Sequence, residues 1–314
     1  MSHFRALKKI IWAVDAFEEA DELRHHTLDD IRYLAKRTCA SVEPVYVFSP
    51  EQLNLAIEFT PPWYEHYSPA TKKKLNQLLE GVNIPSLRPP KVIIQNVAST
   101  TRSVKALSTY ASEISADLIV ASTHGRKGGM AKLILGSFAE SLLQHSTVPV
   151  LMVGPRSHSI RTYDHILFPT DLSAESDLVF QRVVDLAASL DAQLTIFHAI
   201  QHPIPSVLES GVYLLSGGWI SVRDYLSKEE DQRRKHAEGW AELARKRGIG
   251  TQVVIDRGGK AVADAILDHT KHHHISLIAM AAHSGPIAMA LLGSITWKVV
   301  RSTVCPVWVT RISS

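Results

Sequence analysis

KKIIWAVDAF (Lys8–Phe17) and DHILFPTDLS (Asp164–Ser173) share one pattern, a short apolar run closed by an aspartate. In the first, Ile10 to Val14 leads to Asp15; in the second, Ile166 to Phe168 leads through Pro169 and Thr170 to Asp171. An unbroken apolar run of that length reads as a strand buried on both faces. Its appearance twice prompts a search for a repeat. DLIVASTHG (Asp117–Gly125) is echoed by SLIAMAAHSG (Ser276–Gly285), LGSFAE (Leu135–Glu140) by LGSITW (Leu292–Trp297), and TVPVLMV (Thr147–Val153) by VCPVWVT (Val304–Thr310). The offsets are 156 for Asp15/Asp171, 159 for His124/His283, and 157 for both Gly136/Gly293 and Pro149/Pro306. Four landmarks in one order at nearly one spacing mark a tandem duplication. The units are residues 1–155 and 162–314, joined across the polar stretch GPRSHSIRT (Gly154–Thr162).

Within each unit strands and helices alternate. In unit two, strand His165–Phe168 is followed by Asp171 and Ser173, which supply N-cap chemistry for a helix through Leu190. Apolar Leu178, Val179, Val183, Leu186, Ala187 and Leu190 recur at helical spacing. Strand Gln193–Ile200 comes next, then a charged helix from about Ser227 to Arg247, stopped by Gly248 and Gly250. Strand Gln252–Ile255, helix Ala261–His272, strand Ile275–Met280, a helix from about Ser294 and strand Val307–Thr310 complete the unit. Unit one places strands near residues 8–14, 42–48, 91–97, 117–122 and 149–153. The expected fold is α/β: two tandem doubly wound, Rossmann-like units, each a five-stranded parallel sheet flanked by helices. Ligands of such folds sit at the carboxyl ends of the strands, where Asp15, Asp171, His124 and His283 fall.

Composition sets outer bounds. The 314 residues are 45% hydrophobic and 21% charged, enough apolar mass for two cores and unlike a disordered or collagen-like chain. A net charge of +3, from 34 basic and 31 acidic residues, gives no electrostatic case for a nucleic acid or an anionic membrane. Cys39 and Cys305, far apart in sequence, form neither a disulfide framework nor a zinc spacing, and both are expected in the core. The first residues carry no signal-peptide pattern and no stretch is apolar enough to span a bilayer, so a cytoplasmic protein is expected.

The chemistry concentrates after the fourth strand of unit one, in STHGRKGGMAKLILGSFAE (Ser122–Glu140). Gly125, Gly128 and Gly129 let backbone N–H groups approach an anion, and Gly136-Ser137 opens a helix whose N-terminal dipole favours negative charge. The Ser137 hydroxyl can cap that helix or donate to a phosphate, and Arg126, Lys127 and Lys132 add positive charge. The bland alternative is a surface loop ending in a routine serine cap.

The series ILFPTDLS, then THG with a Gly-rich stretch and LGS, then PVLMV, resembles the universal stress protein family. The likeness covers nearly the whole chain, one unit after the other. It implies a stress-response protein with an adenine nucleotide alpha hydrolase-like fold. Nucleotide-binding members carry Gly-x2-Gly-x9-Gly-Ser/Thr. There the aspartate after the first strand and backbone at the end of the second reach adenine and ribose, and the glycines and final hydroxyl hold phosphates. Carried over, the resemblance implies Asp15, Val47, His124, Gly125, Gly136 and Ser137 in unit one, and Asp171, Ala199, Gly293 and Ser294 in unit two. The implied ligand is ATP or AMP, with Mg²⁺ accompanying ATP. It also implies an internal pseudo-dimer through the last strand of each unit, with a homodimer and a protein partner as further expectations.

Both units depart from that motif. In unit one Ser122 stands for the first glycine, and ten residues separate Gly125 from Gly136. In unit two Ala281 and Ser284 replace the glycines, eight residues precede Gly293, and Pro286 removes a donor. No basic residue lies between His283 and Gly293, so unit two is expected to be degenerate. Other motifs carry less. Ser216-Gly217-Gly218 sits in mid-insert, Gly258-Gly259-Lys260 lacks Walker spacing, and His25-His26 and His272-His273-His274 put adjacent histidines on different helix faces. No Ser/His/Asp or Cys/His set is visible, and hydrolysis through His124 would need a base beside a water. Two alternatives to a nucleotide-binding protein follow. One is a nucleotide-free adaptor or hydrophobic-ligand carrier using the apolar inserts at 50–90 and 201–225. The other is a slow ATP hydrolase.

Overall fold

The computed structural model describes residues 7–15, 21–50, 62–123, 135–157, 162–200, 211–213, 219–282 and 292–311. Unit one runs β1 (Lys9–Ala13), α1 (Asp21–Thr38), β2 (Ser41–Phe48), α2 (Pro62–Leu79), β3 (Lys91–Ile94), α3 (Thr100–Glu113), β4 (Leu118–Ser122), α4 (Ser137–His145) and β5 (Val150–Val153). Unit two runs β6 (His165–Pro169), α5 (Ala174–Leu190), β7 (Gln193–Ala199), β8 (Gly211–Tyr213), β9 (Trp219–Ser221), α6 (Val222–Lys246), β10 (Thr251–Asp256), α7 (Val262–His272), β11 (Leu277–Ala281), α8 (Ser294–Ser302) and β12 (Val307–Thr310).

The two five-stranded parallel sheets do not stand apart. They merge into one ten-stranded sheet, ordered β10-β7-β6-β11-β12-β5-β4-β1-β2-β3. Each half is parallel throughout, and the halves join where β12 pairs antiparallel with β5, Val307 opposite Met152 and Val309 opposite Val150. The runs Val150–Val153 and Val307–Val309 are apolar because successive residues face one helical layer or the other. Leu151 and Val153 belong to one core, Val150 and Met152 to the other. The first core lies under α1, α2, α5 and α6, the second under α3, α4, α7 and α8, and each continues from one unit into the other.

Local signals explain the helix limits. α6 begins five residues before the sequence expectation because Ser221 caps it, accepting from the Asp224 N–H at 3.1 Å. It stops at Lys246, and Gly248 just past its end turns the chain with a φ of +82° that glycine adopts without strain. Among the apolar insert residues, 211–213 and 219–221 form an antiparallel hairpin that periodicity did not announce. Cys39 corrects its expectation. It is exposed, in the left-handed position that closes α1 (φ 56°), while Cys305 is buried as expected. Residues 124–134 and 283–291, with His124, Gly125 and His283, and parts of both inserts lie outside the described residues.

Candidate functional site

Parallel strands bring the polar ends of each unit to one edge. The Val14 N–H donates to the Val45 carbonyl at 3.0 Å, and the Thr170 N–H to the Phe197 carbonyl at 2.9 Å. That register makes Asp15 the counterpart of Asp171, and Val47 the counterpart of Ala199. On the same edge the Gly136 N–H closes onto the Thr123 carbonyl (2.8 Å), and the Gly293 N–H onto the Ala282 carbonyl (3.0 Å). Gly136 and Gly293 are therefore the N-caps of α4 and α8, both extended, and neither helix has a side-chain cap. Ser137 and Ser294 are the first helical residues and are exposed. Of the residues singled out in sequence, Asp15, Val47, Gly136 and Ser137 thus share the edge of unit one. Asp171, Ala199, Gly293 and Ser294 share that of unit two. His124 and Gly125 lie outside the described residues.

A cleft of about 420 Å³ opens at the unit-two edge. Its floor is apolar, from Phe168, Phe197, Ile266 and Met280, and its rim is polar, with Asp171, His198, Glu229 and Arg233. The Asp171 carboxylate accepts the Ser173 N–H at 3.0 Å and the Ser176 hydroxyl at 2.7 Å, so it serves the first turn of α5. Burial pushes this carboxyl up, but the hydrogen bonds from Ser173 and Ser176 outweigh it and hold its pKa below the ordinary value. The expected capping by Ser173 takes this indirect form; its own hydroxyl makes no cap bond.

His198 stands where unit one has the buried Tyr46. One ring nitrogen, Nδ1, lies 2.8 Å from the Thr170 carbonyl, and Nε2 lies 3.1 Å from an Arg233 Nη1. A carbonyl accepts and a guanidinium donates, so the ring is the neutral tautomer protonated on Nδ1. Burial lowers its pKa most; the Thr170 carbonyl opposes, and the Arg233 charge lowers it further. Arg233 is itself paired with Glu229 at 2.6 Å. Beside them Glu230 is bridged to Arg257, with Arg234 at 3.7 Å. The cleft thus couples an apolar floor to one aligned guanidinium, which suits a ligand with an apolar body and an anionic or carbonyl group.

Sequence reasoning missed His198 and Arg233. The histidine interrupting LTIFHA was a legible signal. Arg233 lies in DQRRK, where nothing distinguishes it from its neighbours until α6 packs across the strand ends.

The likeness of the two units to known proteins is one of family and fold. The model of the universal stress protein family matches residues 6–154 and again residues 162–311. Universal stress protein A homolog 2 of Coxiella burnetii is 29% identical over 153 residues, covering 48% of this chain and 96% of that protein. Universal stress protein YxiE of Bacillus subtilis is 27% identical over 152 residues, covering 48% and 99%. A universal stress protein structure from Archaeoglobus fulgidus is 17% identical and superposes with a TM-score of 0.63 over 97% of both chains, a likeness of fold. Among the described residues no helix is long and apolar enough to cross a membrane.

Proposed function

The chain belongs to the universal stress protein family, and from that membership we propose that it is a cytoplasmic stress-response protein of the binding and signalling type that takes an adenine nucleotide, ATP or AMP, in unit one. The units in this reading are residues 1–155 and 162–314. The observation that carries it is the first turn of α4. Gly136 caps it without a side chain, Ser137 is exposed beside it, and the backbone N–H groups there carry the positive end of the helix dipole. Phosphates would sit on that turn with the Ser137 hydroxyl, and on the Gly125 segment beside His124. Asp15 and the backbone of Val47, on the same edge, would meet the ribose and base. Mg²⁺ in this reading accompanies the phosphates of ATP. In this reading, bound phosphates change the surface beside the first turn of α4 for a protein partner.

Unit two is the weaker nucleotide site in this reading. Ala281 and Ser284 stand where the motif has glycines, Pro286 removes a backbone donor, and no basic residue lies between His283 and Gly293. A second reading, a carrier of a ligand with a large apolar part, is favoured by the apolar floor and aligned Arg233 of the unit-two cleft.

Isothermal titration of ATP with Mg²⁺ tests the first reading on three proteins: wild type, Ser137→Asp and Ser294→Asp. Aspartate is tolerated in a first helical turn but repels phosphate. Binding by wild type, lost in Ser137→Asp and kept in Ser294→Asp, is the expected result. No heat from wild type at millimolar ATP ends the nucleotide reading, and loss only in Ser294→Asp moves the site to unit two.

A further inference from the structure

A second cleft, of about 330 Å³, lies at the opposite, amino ends of β1, β4 and β5, where unit one meets α5 and β12 of unit two. Leu7, Leu186 and Trp308 form its apolar wall, and Thr147, Ser189 and Arg182 its polar side. The antiparallel β5/β12 junction gives each of these residues a counterpart in the other half. Leu7 and Tyr163 each stand two positions before the first strand of their unit. Cys39 (φ 56°) and Asp191 (φ 55°) close α1 and α5 in the same left-handed turn. Counting back equally from them sets Leu34 against Leu186 and Asp30 against Arg182. Trp308 and Leu151 face each other in the junction itself.

The two halves fill this space differently. In one, Tyr163 is 1% exposed, its ring meets Tyr33 edge-on at 5.2 Å, and its hydroxyl approaches Asp30. In the other, Leu7 is too short to take the same volume, and the buried carboxylate is replaced by a guanidinium. Arg182 is oriented by donating from Nη1 to the Thr310 hydroxyl at 2.6 Å and to the Arg311 carbonyl at 3.2 Å.

We propose that this cleft binds a small aromatic molecule of the phenol class, in the place the Tyr163 ring takes in the other half but packed on Trp308, because Asp185 stands where that half has Tyr33, and with its polar group accepting from Arg182. The volume falls within the range of small-molecule sites, at its lower end. Trp308 offers a ring to pack against, and a guanidinium carries five donors in a plane. Two carboxylates also line the cleft. Asp117 accepts the backbone N–H groups of Lys8 and Lys9, and Asp185 is paired with Arg247 at 2.6 Å. Their charge disfavours a polyanion, so the site is distinct in chemistry as well as in place from the nucleotide edge.

The probe is p-cresol, the side chain of tyrosine as a free molecule, titrated into the full chain and followed by saturation-transfer NMR. A ligand of this size is expected to bind saturably with a Kd of about 1 mM. Leu7→Tyr fills the cleft from within, and Ser189→Phe plugs it from the rim of α5; each is expected to abolish saturable binding. Arg182→Leu is expected to weaken it about fivefold. Absence of saturable binding by wild type up to about 10 mM overturns the proposal. So does binding that is unchanged in the filled variants, since the probe then sits elsewhere. Should one filled variant lose its far-UV circular dichroism signal, the other decides.

Discussion

Asp30→Asn is expected to stabilise the protein, and to do so more at pH 8 than at pH 5. Asp30 lies on α1 of unit one, is 3% exposed, and faces Tyr163 of unit two across the junction. Burial pushes its carboxyl from 3.8 to about 7; the Tyr163 hydroxyl opposes the rise and the Asp29 charge adds to it. The Tyr163 hydroxyl approaches without completing a well-formed hydrogen bond, so the carboxylate gains little in return for its lost hydration. The Cys305 thiol, also buried, is pushed up to about 12 by burial and stays neutral beside it. In the unfolded chain Asp30 titrates near 3.8. Between that value and about 7 the folded state keeps a proton that the unfolded state has lost, so stability falls as pH rises through the window. The rise from 3.8 to about 7 sets a ceiling of about 4 kcal/mol, of which about 2–3 kcal/mol falls between pH 5 and pH 8. Water penetration reduces the realised share to about 1–2 kcal/mol. Asparagine keeps the shape and cannot ionise. Urea denaturation of both proteins at the two pH values measures the difference. An Asn variant whose advantage is the same at pH 5 and pH 8 would refute this account of Asp30.

Three further outcomes are expected. Trp240→Ala should cost about 3–5 kcal/mol in urea denaturation, because the indole is 4% exposed, stacks on Phe180 at 4.7 Å and packs on Phe168 at 6.0 Å; a cost below about 1 kcal/mol would show that the site collapses. Burial, with His273 and His165 adding, lowers His269 from 6.5 to about 4. The unfolded state therefore binds the proton first, and stability is lost as pH falls from about 6.5 towards 4, by about 1 kcal/mol once solvent screening of this partly exposed ring is counted. Thermal melts across that range should show the loss in wild type and a shallower one in His269→Gln. Arg233→Met should raise the His198 pKa, read from its imidazole NMR signals, while leaving it below the ordinary value because burial is the larger cause; an unchanged titration would detach Arg233 from the ring.

Much of the fold was legible because it is written in short-range pattern. The apolar runs at Ile10–Val14 and Ile166–Phe168 became β1 and β6, and Val307–Thr310 became β12 with the expected limits. Gly136-Ser137 and Ser294 mark helix starts in the sequence, and each helix begins at its serine. Two local features depart from that pattern. Ser221 started α6 early, and the left-handed turn after α1 carried Cys39 outward where its apolar character suggested the core. The unit-two cleft was legible only in part. Asp171 and Ala199 were placed at it, but the guanidinium that aligns His198 comes from a helix whose sequence is a run of interchangeable charges.

The sequence by itself determined that one α/β unit occurs twice, since strand runs, glycine-serine starts and their common offset need no knowledge of distant contacts. The resemblance pointed to the last strands as the place where the units meet; the tertiary structure decided the registry in which β5 and β12 pair there, and that the two sides of this junction are packed unequally. Leu7 and Tyr163, or Asp30 and Arg182, are unremarkable in their own segments. Their meaning depends on which side chain from the other unit arrives opposite them, and that is set by the registry of two strands more than a hundred residues apart in sequence.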